Sequence, residues 1–157
     1  MKQPKKNINS VATPAKTYRE SDFPIDVPRP KWLLSGYYDD YWLVTGARPR
    51  SDRKIFFNVL MSDGSLLTDP QHERLLDTVR RMSIGLRTGR YATVTDPIVH
   101  VVMTNAIINL VLWMDLNGIY AFSKLTRADL DAYTEKAVYG TGHLLDYQFA
   151  SKTIFQV

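Results

Sequence analysis

The residues in this sequence whose types and spacing could do chemistry are clustered cations, and the chemistry they favour is the binding of a polyanion. The segment 46–54 contains a single acid, Asp52, and four cations, which are Arg48, Arg50, Arg53 and Lys54. Cations grouped in this way release condensed counterions from DNA, so the segment could contact phosphates. The same residues are typical of an exposed, solvated hairpin loop, and both interpretations stay open at this point.

A second group of cations lies on a predicted helix. Apolar residues recur there at helical spacing and predict one buried face, made by Leu75, Val79, Met82 and Leu86. On a helical wheel arginines flank this stripe in two rows, which are Arg74 with Arg81 and Arg80 with Arg87. Such rows suit phosphate binding. The alternative is a solvated helix face on which the aliphatic stems of the arginines cover the edge of the core.

Enzymatic chemistry has little support in the sequence. Asp39 and Asp40 are adjacent acids, but neighbouring strand residues point to opposite faces and make a poor acid–base pair. The three histidines are widely spaced and the chain has no cysteine, so we expect neither a metal site nor a disulfide. We interpret His100 as a core residue and Asp115 as a turn partner. No catalytic residue, cofactor or small-molecule substrate is therefore expected in this chain.

Length, charge and hydropathy narrow the class of protein. A chain of 157 residues has room for one compact domain, or for a small module attached to a helical one. The net charge of +4 modestly favours a polyanionic partner. The most apolar segment, 98–116, is interrupted by polar residues, so it is not predicted to span a membrane. The first thirty residues lack the apolar region of a secretory signal, and the default expectation is a cytoplasmic protein.

The chain divides into three predicted parts. Residues 1–30 contain several prolines and lysines and are predicted to form a flexible basic tail. Residues 31–68 are predicted to form a small β-rich module, with strands at 41–45 and 55–61, a tight turn at Asp63-Gly64 and a short third strand at 65–67. Such a meander is too small to be stable alone, so it should pack on the helices.

The third part, 69–157, is predicted to be a bundle of about four helices, which makes the fold class α+β and mainly α. The first helix begins after Thr68, its expected cap, and runs to about residue 87. The second begins at Thr95-Asp96-Pro97, is largely buried and ends at Asn117-Gly118. The third begins with Thr126 as N-cap and Asp129 three residues later, a capping box. A fourth is predicted at 143–155.

One stretch of the helical part resembles a known family. Its pattern over 24 residues is Leu110-x-x-Trp113, Asn117-Gly118-Ile119 and Phe122-Ser123-x-Leu125-Thr126-x-x-Asp129-Leu130-x-x-Tyr133. This pattern is similar to the core-binding domain of tyrosine recombinases, the phage-integrase type of enzyme, in which a helix ends in a Gly-Ile turn and a capped helix follows. The resemblance is expected to extend over roughly 70–157 and does not cover the first sixty-odd residues.

The resemblance implies a role in DNA integration or recombination. It implies that double-stranded DNA is the partner and that the helical bundle clamps the recombination site. It also allows self-association on DNA. Cleavage would belong to a downstream catalytic domain that this chain lacks. The DNA-contacting candidates that it implies are Arg80, Arg81, Arg87 and Arg90, with Lys124 and Arg127 as weaker ones. The alternative is an α+β protein-interaction or structural module in which the cations are merely solvated.

Overall fold

The computed structural model describes residues 23–89, 92 and 94–140, and within these ranges the fold is α+β, as predicted. Two strands, β1 (Tyr41–Val44) and β2 (Arg53–Phe56), precede three α-helices, α1 (Glu73–Gly85), α2 (Pro97–Leu116) and α3 (Arg127–Gly140). Short 3-10 helices at Pro70–His72 and Phe122–Lys124 lead into α1 and α3. The predicted fourth helix at 143–155 lies outside the described residues.

The two strands form an antiparallel hairpin that is smaller than the predicted meander. The register pairs Tyr41 with Phe56 and Trp42 with Ile55. β2 ends at Phe56, because beyond it the backbone turns back on itself with the Val59 amide bonded to the Phe57 carbonyl. The predicted third strand was wrong: only an isolated bridge joins Leu60 to Leu66, around a turn in which Gly64 has a φ of 84°.

The hairpin shares its hydrophobic core with the helices, which confirms that it packs on them. Trp42, Ile55 and Phe57 are fully buried in one cluster that also contains apolar residues of α1, α2 and α3. Phe23 and Val27 belong to the same cluster. The predicted tail therefore does not reach residue 30, because these two side chains bury apolar surface; residues 1–22 lie outside the described residues.

The start of α1 differs from the prediction. Thr68 is not its cap, because the chain first makes a turn in which the Asp69 carboxylate accepts a hydrogen bond from the Leu66 amide at 2.9 Å. A 3-10 turn follows, and α1 begins only at Glu73. The predicted apolar stripe is buried, but the buried face is wider than the stripe, since it also includes Arg80 and Ser83.

The boundaries of α2 and α3 follow the predicted capping. The Asp96 carboxylate accepts the Ile98 amide at 2.7 Å, with Pro97 as the first helical residue. In the predicted capping box, the Thr126 amide donates to the Asp129 carboxylate at 2.9 Å and the Asp129 amide donates to the Thr126 hydroxyl at 3.1 Å. Each cap satisfies amides that the helix itself leaves without partners.

α2 is less buried than predicted. Its inner face packs against α1 and β2, but Ile98, Val99 and Val102 are exposed. Among the described residues, α2 alone is long and apolar enough to cross a membrane, with a mean hydropathy of 1.7. Half of its most apolar window is buried inside the protein, and the core helix of a soluble protein meets the same criterion of length and composition.

Candidate nucleic-acid interface

The outer face of the hairpin carries an exposed aromatic pair. Side chains alternate along the strands, so Trp42 and Ile55 face the core while Tyr41 and Phe56 face outward as cross-strand neighbours. Their ring centroids lie 5.8 Å apart with an interplanar angle of 41°. Tyr41 is 44% exposed and Phe56 52% exposed. The Nζ atom of Lys54 lies 5.2 Å from the Tyr41 ring centroid and adds a positive charge to this face.

The four cations predicted for segment 46–54 are all exposed and lie at the loop end of the same hairpin, whereas the Tyr41–Phe56 pair lies at its open end. Arg48 and Arg50 lie in the connecting loop, and Arg53 and Lys54 lie at the start of β2. None of the ion pairs found among the described residues involves this segment. The structure therefore brings these cations and the aromatic pair together on one element. We call this combined surface, Tyr41, Phe56 and the four cations, the hairpin surface.

Short contacts hold the hairpin loop in place. The Ser51 hydroxyl donates to the Arg48 carbonyl at 2.6 Å. The backbone of Arg50 is in the left-handed region, with a φ of 59°, which residues other than Gly, Asn and Asp seldom adopt. Gly46 lies against the ring of Pro97, so close that an added Cβ would be 2.7 Å from the proline carbons. The base of the loop thus packs against the first residue of α2, and this contact helps to hold Arg48 and Arg50 in place.

The charge of the hairpin loop contrasts with that of the described residues as a whole. These ranges contain thirteen lysines and arginines and thirteen acids, so the net surplus of the full sequence comes from residues that are not described. Overall charge therefore does not favour a polyanion on this part of the protein. A polyanionic partner is favoured only by the local charge of the segment 46–54, which has four cations and one acid.

The arginines of α1 were expected to form two exposed cationic rows, and for Arg80 this is wrong. Its side chain is buried, because the guanidinium donates to the Asp39 carbonyl at 2.9 Å and lies over the rings of Tyr37 and Phe57. Burial lowers the pKa of Arg80 below its ordinary value, since it disfavours the charged form. A phosphate could not reach this guanidinium without rearrangement of the core.

The guanidinium groups of Arg81 and Arg87 also make contacts within the protein. Arg81 bridges two carboxylates, Asp26 at 2.6 Å and Asp77 at 2.7 Å, and these hydrogen bonds raise its pKa. Arg87 is half-buried, stacks 4.6 Å from the Trp32 ring centroid, and has its pKa lowered by burial. The Arg81–Asp26 pair ties α1 to the segment before β1, and the Arg87–Trp32 contact ties the segment after α1 to that same segment. They favour a structural role for both arginines over phosphate binding.

The remaining predicted DNA contacts are separate from the hairpin in sequence. Lys124 and Arg127 are exposed at the connection between α2 and α3, where Arg127 lies 3.4 Å from Asp131. Arg90 lies outside the described residues. Lys124 and Arg127 therefore belong to a different element from the hairpin surface, which groups four of the predicted candidates.

A cleft of about 500 Å³ lies elsewhere, beside the start of α1, and is lined by groups of mixed charge that include Asp63, His72, Glu73, Asp115 and Tyr120. Most of its polar atoms serve local turns. The Ser65 hydroxyl joins Asp63 (2.5 Å) to His72 (2.8 Å). Asp115 accepts the Ser62 amide at 2.7 Å, so its side chain partners a turn 53 residues earlier in the chain and not the one at the end of its own helix. The proximity of Asp115 raises the pKa of Tyr120.

His100 is a core residue, as interpreted from the sequence. Its Nε2 atom lies 2.9 Å from the Ser83 carbonyl oxygen, which can only accept, so Nε2 carries the proton. The Ser83 hydroxyl lies 3.0 Å from the same nitrogen and 2.7 Å from the Thr104 hydroxyl. The Nδ1 atom is buried without a hydrogen-bond partner among the described residues, and burial lowers the pKa of His100 to about 4. This cluster joins α1 to α2.

The aromatic pair is the part of the hairpin surface that sequence reasoning missed. Both strands were predicted, yet the pairing of Tyr41 with Phe56 depends on a register that an eight-residue loop does not specify. The alternation of exposed and buried positions was the signal that could have placed both rings outward. Searches against protein-family models, curated proteins and solved structures find no match to this chain.

Proposed function

We propose that this chain is a DNA-binding module and that the hairpin surface is its contact with the phosphate backbone. The observation that carries the proposal is the grouping of four exposed cations, with one acid, on the hairpin loop and the adjoining start of β2, in the same hairpin as two exposed aromatic rings. Clustered cations bind nucleic acid by releasing counterions, whichever bases are present. Phosphate contacts of this kind fix the position of a protein on DNA without reading its sequence.

The resemblance of residues 110–133 to the core-binding domain of tyrosine recombinases suggests which process this DNA binding would serve. On that reading, the module clamps a recombination site for a tyrosine recombinase, and a separate catalytic domain cuts the DNA. The capping box at Thr126 and Asp129 supports the scaffold part of the resemblance, although many helical proteins share that local geometry. A gene whose reading frame continued beyond Val157 into a domain with the family's arginines and tyrosine would support the wider proposal.

The experiment measures how binding depends on salt. A fluorescently labelled 20-bp duplex is titrated with wild-type protein from 50 to 300 mM salt, and with the double variant Arg48→Gln/Arg50→Gln. Removing two phosphate contacts should reduce the magnitude of the slope of log Kobs against log salt by about two. The matched control is Arg74→Gln/Lys136→Gln, which removes two exposed cations outside the hairpin and should leave the slope close to that of wild type.

Two outcomes would contradict the proposal in different ways. Equal losses of slope in the two double variants would mean that overall charge is being measured and that the hairpin is not the site. No binding by wild-type protein at 50 mM salt would remove the DNA role altogether. Circular dichroism of each variant checks that the fold is retained.

The second candidate function is a protein-interaction module, and a specific observation favours it. Ile98, Val99 and Val102 expose apolar surface on the first turns of α2. Neighbouring apolar side chains on a helix face are a common feature of protein interfaces. A wild-type protein that binds no DNA, but whose sedimentation coefficient rises with concentration and falls on Val102→Lys substitution, would favour this candidate.

A further inference from the structure

We infer that the hairpin surface binds unpaired bases, which stack on Tyr41 and Phe56, while its cations hold the adjoining phosphates. This inference rests on the proposed function, because it names the form of nucleic acid that the same site prefers. It makes single-stranded or locally opened DNA a better ligand than a fully paired duplex. The physical reason is that a stacked duplex buries its base faces, whereas an unpaired base offers them to a side chain.

The burial of the other hairpin aromatics makes the exposure of these two rings informative. Trp42 and Phe57 are fully buried and contribute to the shared core. Tyr41 and Phe56 occupy the opposite face, and about half of each side chain remains exposed. A cross-strand aromatic pair stabilises a hairpin through the contact between its two rings. This contact leaves about half of each side chain exposed to other ligands.

The geometry suits stacking of bases. The two rings lie side by side on a sheet face, 5.8 Å apart between centroids, and are tilted by 41°. Aromatic side chains on the open face of a β-sheet are a recurrent platform for unpaired bases, because every base has a π-face. Nothing in the described residues covers the two rings to the extent that the core covers Trp42.

The charges around the rings complete the site. The Lys54 ammonium group lies 5.2 Å from the Tyr41 centroid, on the same face of the hairpin as the two rings. A nucleotide stacked on Tyr41 therefore has a cation close by, and the exposed cations at the loop end of the hairpin are available to the phosphates of the adjoining nucleotides. The combination of a cationic surface with stacking rings is the general design of proteins that bind single strands. A protein partner would gain little from the cations unless it were acidic, so a nucleic acid uses more of this surface.

The experiment compares three probes of equal length. These are a 12-nucleotide oligo(dT), a 12-nucleotide strand with the same phosphates but abasic sugars, and a 12-bp blunt duplex. Stacking contributes roughly 1–3 kcal/mol per base, which corresponds to about 5- to 150-fold in affinity. We expect wild-type protein to bind oligo(dT) at least fivefold more tightly than the abasic strand, and more tightly than the duplex.

Variants of the two rings link this preference to the hairpin surface. Tyr41→Leu and Phe56→Leu remove stacking and keep an apolar side chain, so both should reduce the preference for oligo(dT) over the abasic strand, and the double variant should abolish it. Tyr41→Phe is the conservative control and should retain the preference. If a leucine variant fails to fold by circular dichroism, the β-branched Tyr41→Val and Phe56→Ile variants take its place.

The outcomes separate this inference from the proposed function. Equal affinity for oligo(dT) and the abasic strand would overturn the inference, while leaving phosphate binding by the hairpin intact. An unchanged preference in the folded double variant would overturn it too, because the bases would then bind elsewhere. If wild-type protein bound the duplex more tightly than oligo(dT), and the ring substitutions did not change that affinity, the inference would also be overturned. Failure of all three probes at low salt removes the proposed function itself.

Discussion

Lowering the pH should destabilise this protein through His100, the buried histidine that joins α2 to α1. The folded protein holds the ring in its neutral form, with Nε2 donating to the Ser83 carbonyl at 2.9 Å and Nδ1 lacking a partner among the described residues. Protonation would place a second N–H group in this buried site with no acceptor. The nearby Arg87 guanidinium adds repulsion toward the imidazolium.

The magnitude follows from the two pKa values. Burial lowers the pKa of His100 from 6.5 to about 4. The unfolded chain therefore binds more protons than the folded protein between these values, and stability decreases as the pH falls through that window. The full contribution, present above pH 6.5, is about 3 kcal/mol, since one pKa unit is about 1.4 kcal/mol. About 2 kcal/mol of it should be lost by pH 5.

The assay is urea unfolding at pH 7.5 and pH 5.0 of wild-type protein and of His100→Gln, whose amide does not titrate but can still donate to the Ser83 carbonyl. The variant should lose about 2 kcal/mol less free energy of unfolding than wild type between the two pH values. Carboxyls with lowered pKa values, such as Asp26 and Asp63, titrate below this window. If the two proteins lost the same free energy, His100 would not be held neutral by burial, and the reasoning would be refuted.

Three further predictions concern residues that support the fold. Arg80→Met should leave DNA affinity within about twofold of wild type in anisotropy titrations, because the Arg80 side chain is buried; a large loss in the folded variant would restore it as a DNA contact. Gly46→Ala should lower the free energy of unfolding by about 1–3 kcal/mol, since its methyl group meets Pro97. In the control Gly85→Ala, where nothing lies within 4 Å, urea unfolding should show a gain of about 0.5–1 kcal/mol. Asp96→Ala should cost about 1 kcal/mol in the same assay by removing the cap of α2, and an unchanged midpoint would refute that role.

The features predicted correctly from the sequence are those whose partners are close along the chain. The Thr126–Asp129 capping box and the Asp96-Pro97 start each involve residues within three positions of one another. Gly118 has a φ of 69°, as the predicted chain reversal requires. Such signals are readable because local backbone geometry alone brings the donor to the acceptor. The same locality explains why the Thr126–Asp129 element can resemble a family without fixing what the protein binds.

The errors arose where a contact joins distant segments. A helical wheel gives the direction of Arg80 from the axis of α1, but it does not reveal that Asp39, 41 residues earlier, supplies a carbonyl there. Nor does it reveal the aromatic rings on which the guanidinium lies. The same is true of Arg81, whose partner Asp26 lies 55 residues away. Two expected phosphate contacts thus became structural, because tertiary packing supplied partners that periodicity cannot encode.

The sequence by itself determined the cations of segment 46–54, the presence of two strands around them and the caps of the helices. The tertiary structure decided which of the cations remain available to a ligand and that Tyr41 and Phe56 join Lys54 on the outward face of the hairpin. The physical reason is that the residue types and local caps are properties of short segments. The strand register, and the burial of one arginine while another stays exposed, depend on how apolar surfaces distant in the chain come together.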